Sequence, residues 1–179
     1  MWALVEDSKI SKVYNKPIQL TIGDIKYPSN IHNLWSEAQL KAIGVYIVIE
    51  DNSNLKNKEY YINTNQTFNF ASNKVTASYG TATARDLDTL KTNHCAVIDN
   101  QAYSLLQPND WMVVRNAESS KAIPSDWLDY RVGVRTAATD MKAKINAVAN
   151  VDALADLYKY NDATPPVRPL GEFPTEPTS

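Results

Sequence analysis

Two Asp-Trp pairs, Asp110-Trp111 and Asp126-Trp127, sit among the residues best suited to chemistry in this chain. Arg115 follows the first tryptophan by four residues and Arg131 follows the second by the same interval, with Arg135 one turn further on. On a helix that spacing sets a guanidinium on the same face as an indole, one turn away. The chemistry on offer is recognition: a cation lying on an aromatic face, or paired arginines gripping a carboxylate. A helical hairpin stapled from within uses the same residues, with Arg131 and Arg135 paired to Asp126 or Glu118. Trp111, Arg115, Trp127, Tyr130, Arg131 and Arg135 are the candidate partner-binding residues.

Bond-making chemistry has no comparable set. His32 and His94 lie far apart, and neither has a metal-type partner at a matching spacing. His94 adjoins Cys95, but neighbours on a helix diverge by about 100° and do not chelate together easily. A Gly-x-Ser-x-Gly elbow, a phosphate loop and a dinucleotide fingerprint are all missing, and five glycines are too few and scattered to build one. Asp86 with Asp88, and Asp126 with Asp129, stand at helix starts, where carboxylates complement the helix dipole. Asp140 and Lys144 form an ordinary i to i+4 pair. No catalytic residue, metal or cofactor is expected, and the chain does not read as an enzyme.

The bulk numbers narrow the partners. A chain of 179 residues, 44% hydrophobic and 21% charged, is globular and can bury a core. Net charge of −2 and a pI near 5.7, with Lys and Arg dispersed, disfavour nucleic acid and anionic membrane. One cysteine, Cys95, allows neither an intramolecular disulfide nor a multi-cysteine zinc site. The opening MWALVEDSKI lacks a basic start and a long apolar run, and Val45 to Ile49 is far too short to cross a bilayer. The expectation is a soluble protein of a reducing cytoplasm.

The elements that must position these residues change character near 78–84. Before it, β-branched and aromatic residues alternate with polar ones; after it, alanine and leucine recur at helical spacing. That order predicts an α+β chain: a mostly antiparallel β module with one short helix over 1–80, a helical hairpin or bundle over 81–162, and a Pro-rich tail over 163–179. Strands are expected at Trp2–Val5 and Ile10–Tyr14, and at Ile18–Ile22 and Ile25–Tyr27 around Gly23-Asp24. Glu59–Asn63, Thr67–Ala71 and Lys74–Tyr79 read as a three-stranded meander with Tyr61, Phe68, Phe70, Val75 and Ala77 facing inward. Ser36 and Gln39 form a capping box, Trp35 and Leu40 a hydrophobic staple, and Gly44 ends that helix.

Further on, 85–106 reads as a helix weak around Thr92-Asn93-His94. The longest helix carries the stripe Tyr130, Val134, Ala137, Met141, Ile145 and Val148, with Asn150 closing it. Five of the nine prolines fall in the tail, which is expected to be extended or flexible, or an arm for a neighbour.

With these residues laid out, a resemblance emerges. Asp110-Trp111-x-Val113-Val114-Arg115, Ala117-Glu118, Ile123-Pro124, Tyr130-Arg131 and Val134-Arg135 resemble the C-terminal module of tail assembly chaperone and tail-fibre-assembly proteins of tailed bacteriophages. The closing Arg168-Pro169-Leu170-Gly171-Glu172-Phe173-Pro174 is similar to tails of marine and cyanobacterial phage proteins of this kind. Residues 1–50, with Pro28-x-x-Ile31-x-x-Leu34-Trp35 and Ile43-Gly44, resemble the N-terminal module that often precedes it. The resemblance implies no catalytic residue. It implies a binding protein for tail-fibre or baseplate polypeptides, in the host cytoplasm during assembly or in the virion tail, with self-association a further option. Such a protein covers the apolar surface of nascent fibre chains. The alternative is a permanent fibre or baseplate adaptor held by oligomeric contacts.

Overall fold

The computed structural model describes residues 1–178. The chain is α+β and divides into two compact units, Met1–Thr83 and the remainder from Ala84 onward.

Strands β1 (Trp2–Glu6) and β2 (Lys9–Tyr14) open the first unit as a hairpin. Its turn residues Asp7 and Ser8 both adopt positive φ, 48° and 61°, the backbone sense that matches the twist of paired strands. A small hairpin of β3 (Leu20–Ile22) and β4 (Ile25–Tyr27) follows, with Gly23 at φ +59°. Two short helices come next, α1 (Ile31–Leu34) and α2 (Glu37–Ala42), where one was expected. The Ser36 capping box is formed in both directions: Ser36 N–H donates to Gln39 Oε1 at 2.9 Å, and Gln39 N–H to Ser36 Oγ at 3.3 Å. Ser36→Ala is expected to cost about 1 kcal/mol in urea denaturation.

Strand β5 (Val45–Asp51) then enters the sheet, followed by β6 (Tyr61–Ile62), β7 (Gln66–Ala71) and β8 (Lys74–Tyr79). The sheet order is β2-β1-β5-β8-β7, antiparallel throughout except that β8 runs parallel to β5. It curls so that edge strands β2 and β7 approach one another.

Period-2 alternation gives the two faces separate cores. Ala3, Tyr46, Val48, Val75 and Ala77 fill the concave side with Val5, Phe68 and Phe70. Leu4 and Val45 face the other way, under Leu20, Ile31 and Leu40 of the hairpin and helices. The expected meander is thus corrected. Only β7 and β8 pair, and β6 lies outside that sheet in a separate two-stranded ladder. The place beside β8 is taken by β5, whose apolar Val45–Ile49 run outcompetes the asparagine-rich segment around β6.

In the second unit, α3 (Leu87–Leu106) runs unbroken for 20 residues, capped by Asp86, whose Oδ1 accepts from Thr89 N–H at 2.8 Å. The polar middle does not weaken it, because His94 is buried with Nδ1 2.8 Å from the Tyr158 hydroxyl. A 3₁₀ turn at Gln107–Asn109 leads into α4 (Trp111–Ser119), then α5 (Ser125–Ala147) and α6 (Val151–Asp156). Helix α5 packs along α3, burying Tyr130, Val134, Ala138, Met141 and Ile145. Ala138 lies deeper than the expected Ala137, and Val148 falls beyond the helix end. Asn150 does not close α5; its Oδ1 caps α6 by accepting from Ala153 N–H at 2.8 Å.

The tail is irregular but docked on its own chain. Leu170 is 1% exposed, and its N–H donates to Leu157 O at 2.9 Å. Lys144 does not pair with Asp140; its ammonium donates to the Pro169 and Leu170 carbonyls at 2.8 and 3.1 Å. Arg168 pairs with Glu172 at 2.8 Å, and Glu172 also accepts from the Tyr160 hydroxyl at 2.7 Å. Beyond it, Pro174 rests on α5 where Gly133 leaves room; a Cβ there would meet Pro174 Cγ at 3.3 Å. Leu170→Ala is expected to cost about 2–4 kcal/mol through the cavity it leaves. Limited proteolysis will then cut the tail faster than in the parent chain.

Candidate functional site

Helix α4 is positioned by contacts made before and beneath it. The 3₁₀ turn, started by Pro108, brings Asn109 inside and leaves Asp110 at the helix start. Asp110 makes no side-chain cap for α4. Its carboxylate instead accepts from Arg131 Nη2 at 2.6 Å.

Arg131 is 3% exposed, and its other terminal nitrogen, Nη1, donates to Leu106 O at 3.1 Å and to Asn109 Oδ1. Leu106 is the last residue of α3, so the guanidinium satisfies a carbonyl that the helix leaves unpaired. A cation also complements the negative end of the α3 dipole there. Arg131 is therefore an internal clamp between α5 and the α3–α4 junction, not a surface grip, and its partners are neither Asp126 nor Glu118.

Tyr130 is corrected likewise: it is buried, and the Trp127 ring meets it edge-on at 5.9 Å. Because Arg131 turns inward, the Trp127–Arg131 stack anticipated from spacing does not form. Burial raises the Tyr130 phenol above its ordinary value, and the Glu176 carboxylate adds to the shift. The folded state holds the neutral phenol, so its contribution to stability is full below about pH 10 and is lost as pH rises through the raised value. Stepped-pH urea melts are expected to show midpoints falling above pH ~10, less steeply in Tyr130→Phe.

The first Asp-Trp pair behaves as its spacing foretold. The Arg115 guanidinium carbon lies 4.7 Å from the centre of the Trp111 ring. Trp111 is 54% exposed, Val113 and Val114 are exposed beside it, and Met112 alone on this helix is buried. Arg115 Nε is buried without an acceptor. Arg135 is exposed, its Nη1 reaching back only to Arg131 O at 3.3 Å.

Sequence reasoning overlooked Val113 and Val114 as surface groups, and also Leu128 and Val132, exposed one turn apart on α5. For Leu128 and Val132 the signal was available: both are apolar yet out of phase with the buried stripe of α5. The remaining tryptophans serve packing. Trp35 meets Tyr27 edge-on at 5.8 Å, and Trp2 lies 4.7 Å from the His32 ring.

His32 is buried with Nε2 3.2 Å from Ile18 O, and burial raises the Cys95 thiol above its ordinary value. Among the described residues no group of three His, Cys, Asp or Glu is placed to hold a metal ion, and no helix is long and apolar enough to cross a membrane. What α4 offers chemically is a rigid aromatic and aliphatic surface with one cation. No protein-family model, curated protein or solved structure matches the chain.

Proposed function

We propose that this chain is a non-enzymatic binding protein of tailed phages that engages fibre or tail-tip polypeptides during their assembly. The observation that carries the reading is the outer face of α4, where Trp111 and Val114 stand exposed one turn apart on a helix anchored by the buried Arg131 clamp. Exposed tryptophan beside arginine is the composition of binding hot spots, and a fixed helix binds without first losing backbone freedom. Leu128 and Val132 add exposed apolar surface on α5. The resemblance of the Asp110–Arg135 pattern to tail-fibre-assembly proteins supplies the partner class, and assembly would place the protein in the host cytoplasm.

The alternative, a permanent fibre or baseplate adaptor, leaned on the tail as an arm for a neighbour. Leu170 and Pro174 commit that tail to the chain's own helices, which favours the assembly factor. Mass spectrometry of purified virions tests the choice against abundance of the fibre protein. Absence from particles, with co-purification alongside the fibre from infected-cell lysate, is the expected result. A fixed stoichiometric ratio in particles sinks the transient reading, and no association with fibre in either sample sinks both.

A further inference from the structure

We infer that the outer face of α4 recognises a polypeptide segment that presents a carboxylate to Arg115 beside an apolar side chain for Trp111 and Val114, an inference that rests on the protein-binding reading above. The Arg131, Arg135 and Arg168 side chains all have hydrogen-bond partners, and Arg85 is not without a partner. Arg115 differs: among the described residues no acceptor meets its guanidinium, and its Nε is already withdrawn from water against the indole. The carboxylates nearest in sequence do not serve it. Asp110 is held by Arg131 at 2.6 Å, and Glu118 forms no ion pair with it among the described residues.

A guanidinium lying on an aromatic ring keeps its edge donors for a planar, bidentate acceptor. Trp111, Val114 and Arg115 occupy positions i, i+3 and i+4, so one helix face offers an indole, an isopropyl group and an unpaired fork together. The charge decides the class of occupant. Arg115 is the one basic residue on α4, in a chain of net charge −2, so no basic field exists to hold a polyphosphate backbone. A single cation beside apolar groups matches a single carboxylate flanked by apolar side chains.

The test uses the full chain, labelled with nitrogen-15, and two probes: acetyl-Leu-Glu-Leu-amide and acetyl-Leu-Gln-Leu-amide. The Trp111 indole N–H and Arg115 Nε–H resonances are followed, assigned through Trp111→Phe and Arg115→Gln. Saturable shifts of both are expected with the Glu peptide, at about tenfold lower concentration than with the Gln peptide. Arg115→Gln is expected to remove that difference, and Trp111→Ala to weaken both peptides. Equal response to the two peptides, no response to either, or shifts that follow protein concentration without peptide (a second copy as occupant) each overturn the inference. Its failure is separable from that of the fibre reading. Fibre co-purification with silent peptides leaves the binding role standing, whereas Glu-selective binding without fibre association removes the fibre alone.

Discussion

Replacing Arg131 with methionine is expected to destabilise the helical unit by about 2–4 kcal/mol. The substitution keeps the aliphatic stem but leaves Leu106 O and the Asn109 side chain, itself 2% exposed, without their donor. Removing one partner of a fully buried ion pair costs about 3–5 kcal/mol, chiefly from the stranded charge. Here the stranded group is Asp110, whose side chain is 52% exposed and regains water, so the cost falls mainly on the two neutral acceptors. Asp110→Asn should accordingly lose less than about 1 kcal/mol, as exposed pairs do. Arg131→Lys should fall between them, because an ammonium cannot reproduce the planar fork that spans three acceptors. Urea denaturation of the three variants checks the ranking. Equal losses at Asp110 and Arg131 would mean that the ion pair, not the carbonyl and amide contacts, dominates.

In the first unit the corresponding weak point is Gly44, where Gly44→Ala is expected to cost about 2–4 kcal/mol. Its φ of +80° is strained for any residue with a side chain, which alone accounts for roughly 1–2 kcal/mol. A Cβ would also stand 2.7 Å from Val5 O, a backbone atom that cannot swing away as a side chain can. Val5 N–H donates to Gly44 O at 2.8 Å, so relief requires moving β1 at its bulge and loosening its pairing with β5. Gly23→Ala is the matched control: φ is +59°, yet nothing lies within 4 Å of its Cβ position. It should show the conformational cost alone, and a Gly44 loss no larger than the Gly23 loss would remove the steric part of the argument.

Local signals in the chain determined much of this protein before any tertiary contact is considered. The Ser36–Gln39 box, the turns at Asp7-Ser8, Gly23-Asp24 and Ser72-Asn73, and the change from period 2 to helical spacing each act within a few residues, so composition and order suffice. The Trp111–Arg115 stack belongs with them, since both residues lie on one helix and helix geometry alone sets their separation.

Contacts between distant segments were decided only by the tertiary structure. Spacing placed Arg131 one turn from Trp127, but three acceptors at the end of α3 outbid the indole for a guanidinium that burial would otherwise leave unpaired. The parallel pairing of β5 with β8 joins strands far apart in sequence, and no local pattern names the neighbour of a strand. The tail read as free because prolines forbid regular structure. What docks it is a pocket for Leu170 and carbonyl contacts with Lys144, both created by helices that must fold first. The exposure of Trp111 follows the same logic: its type says it can pack, and only the arrangement of the helices leaves it facing water.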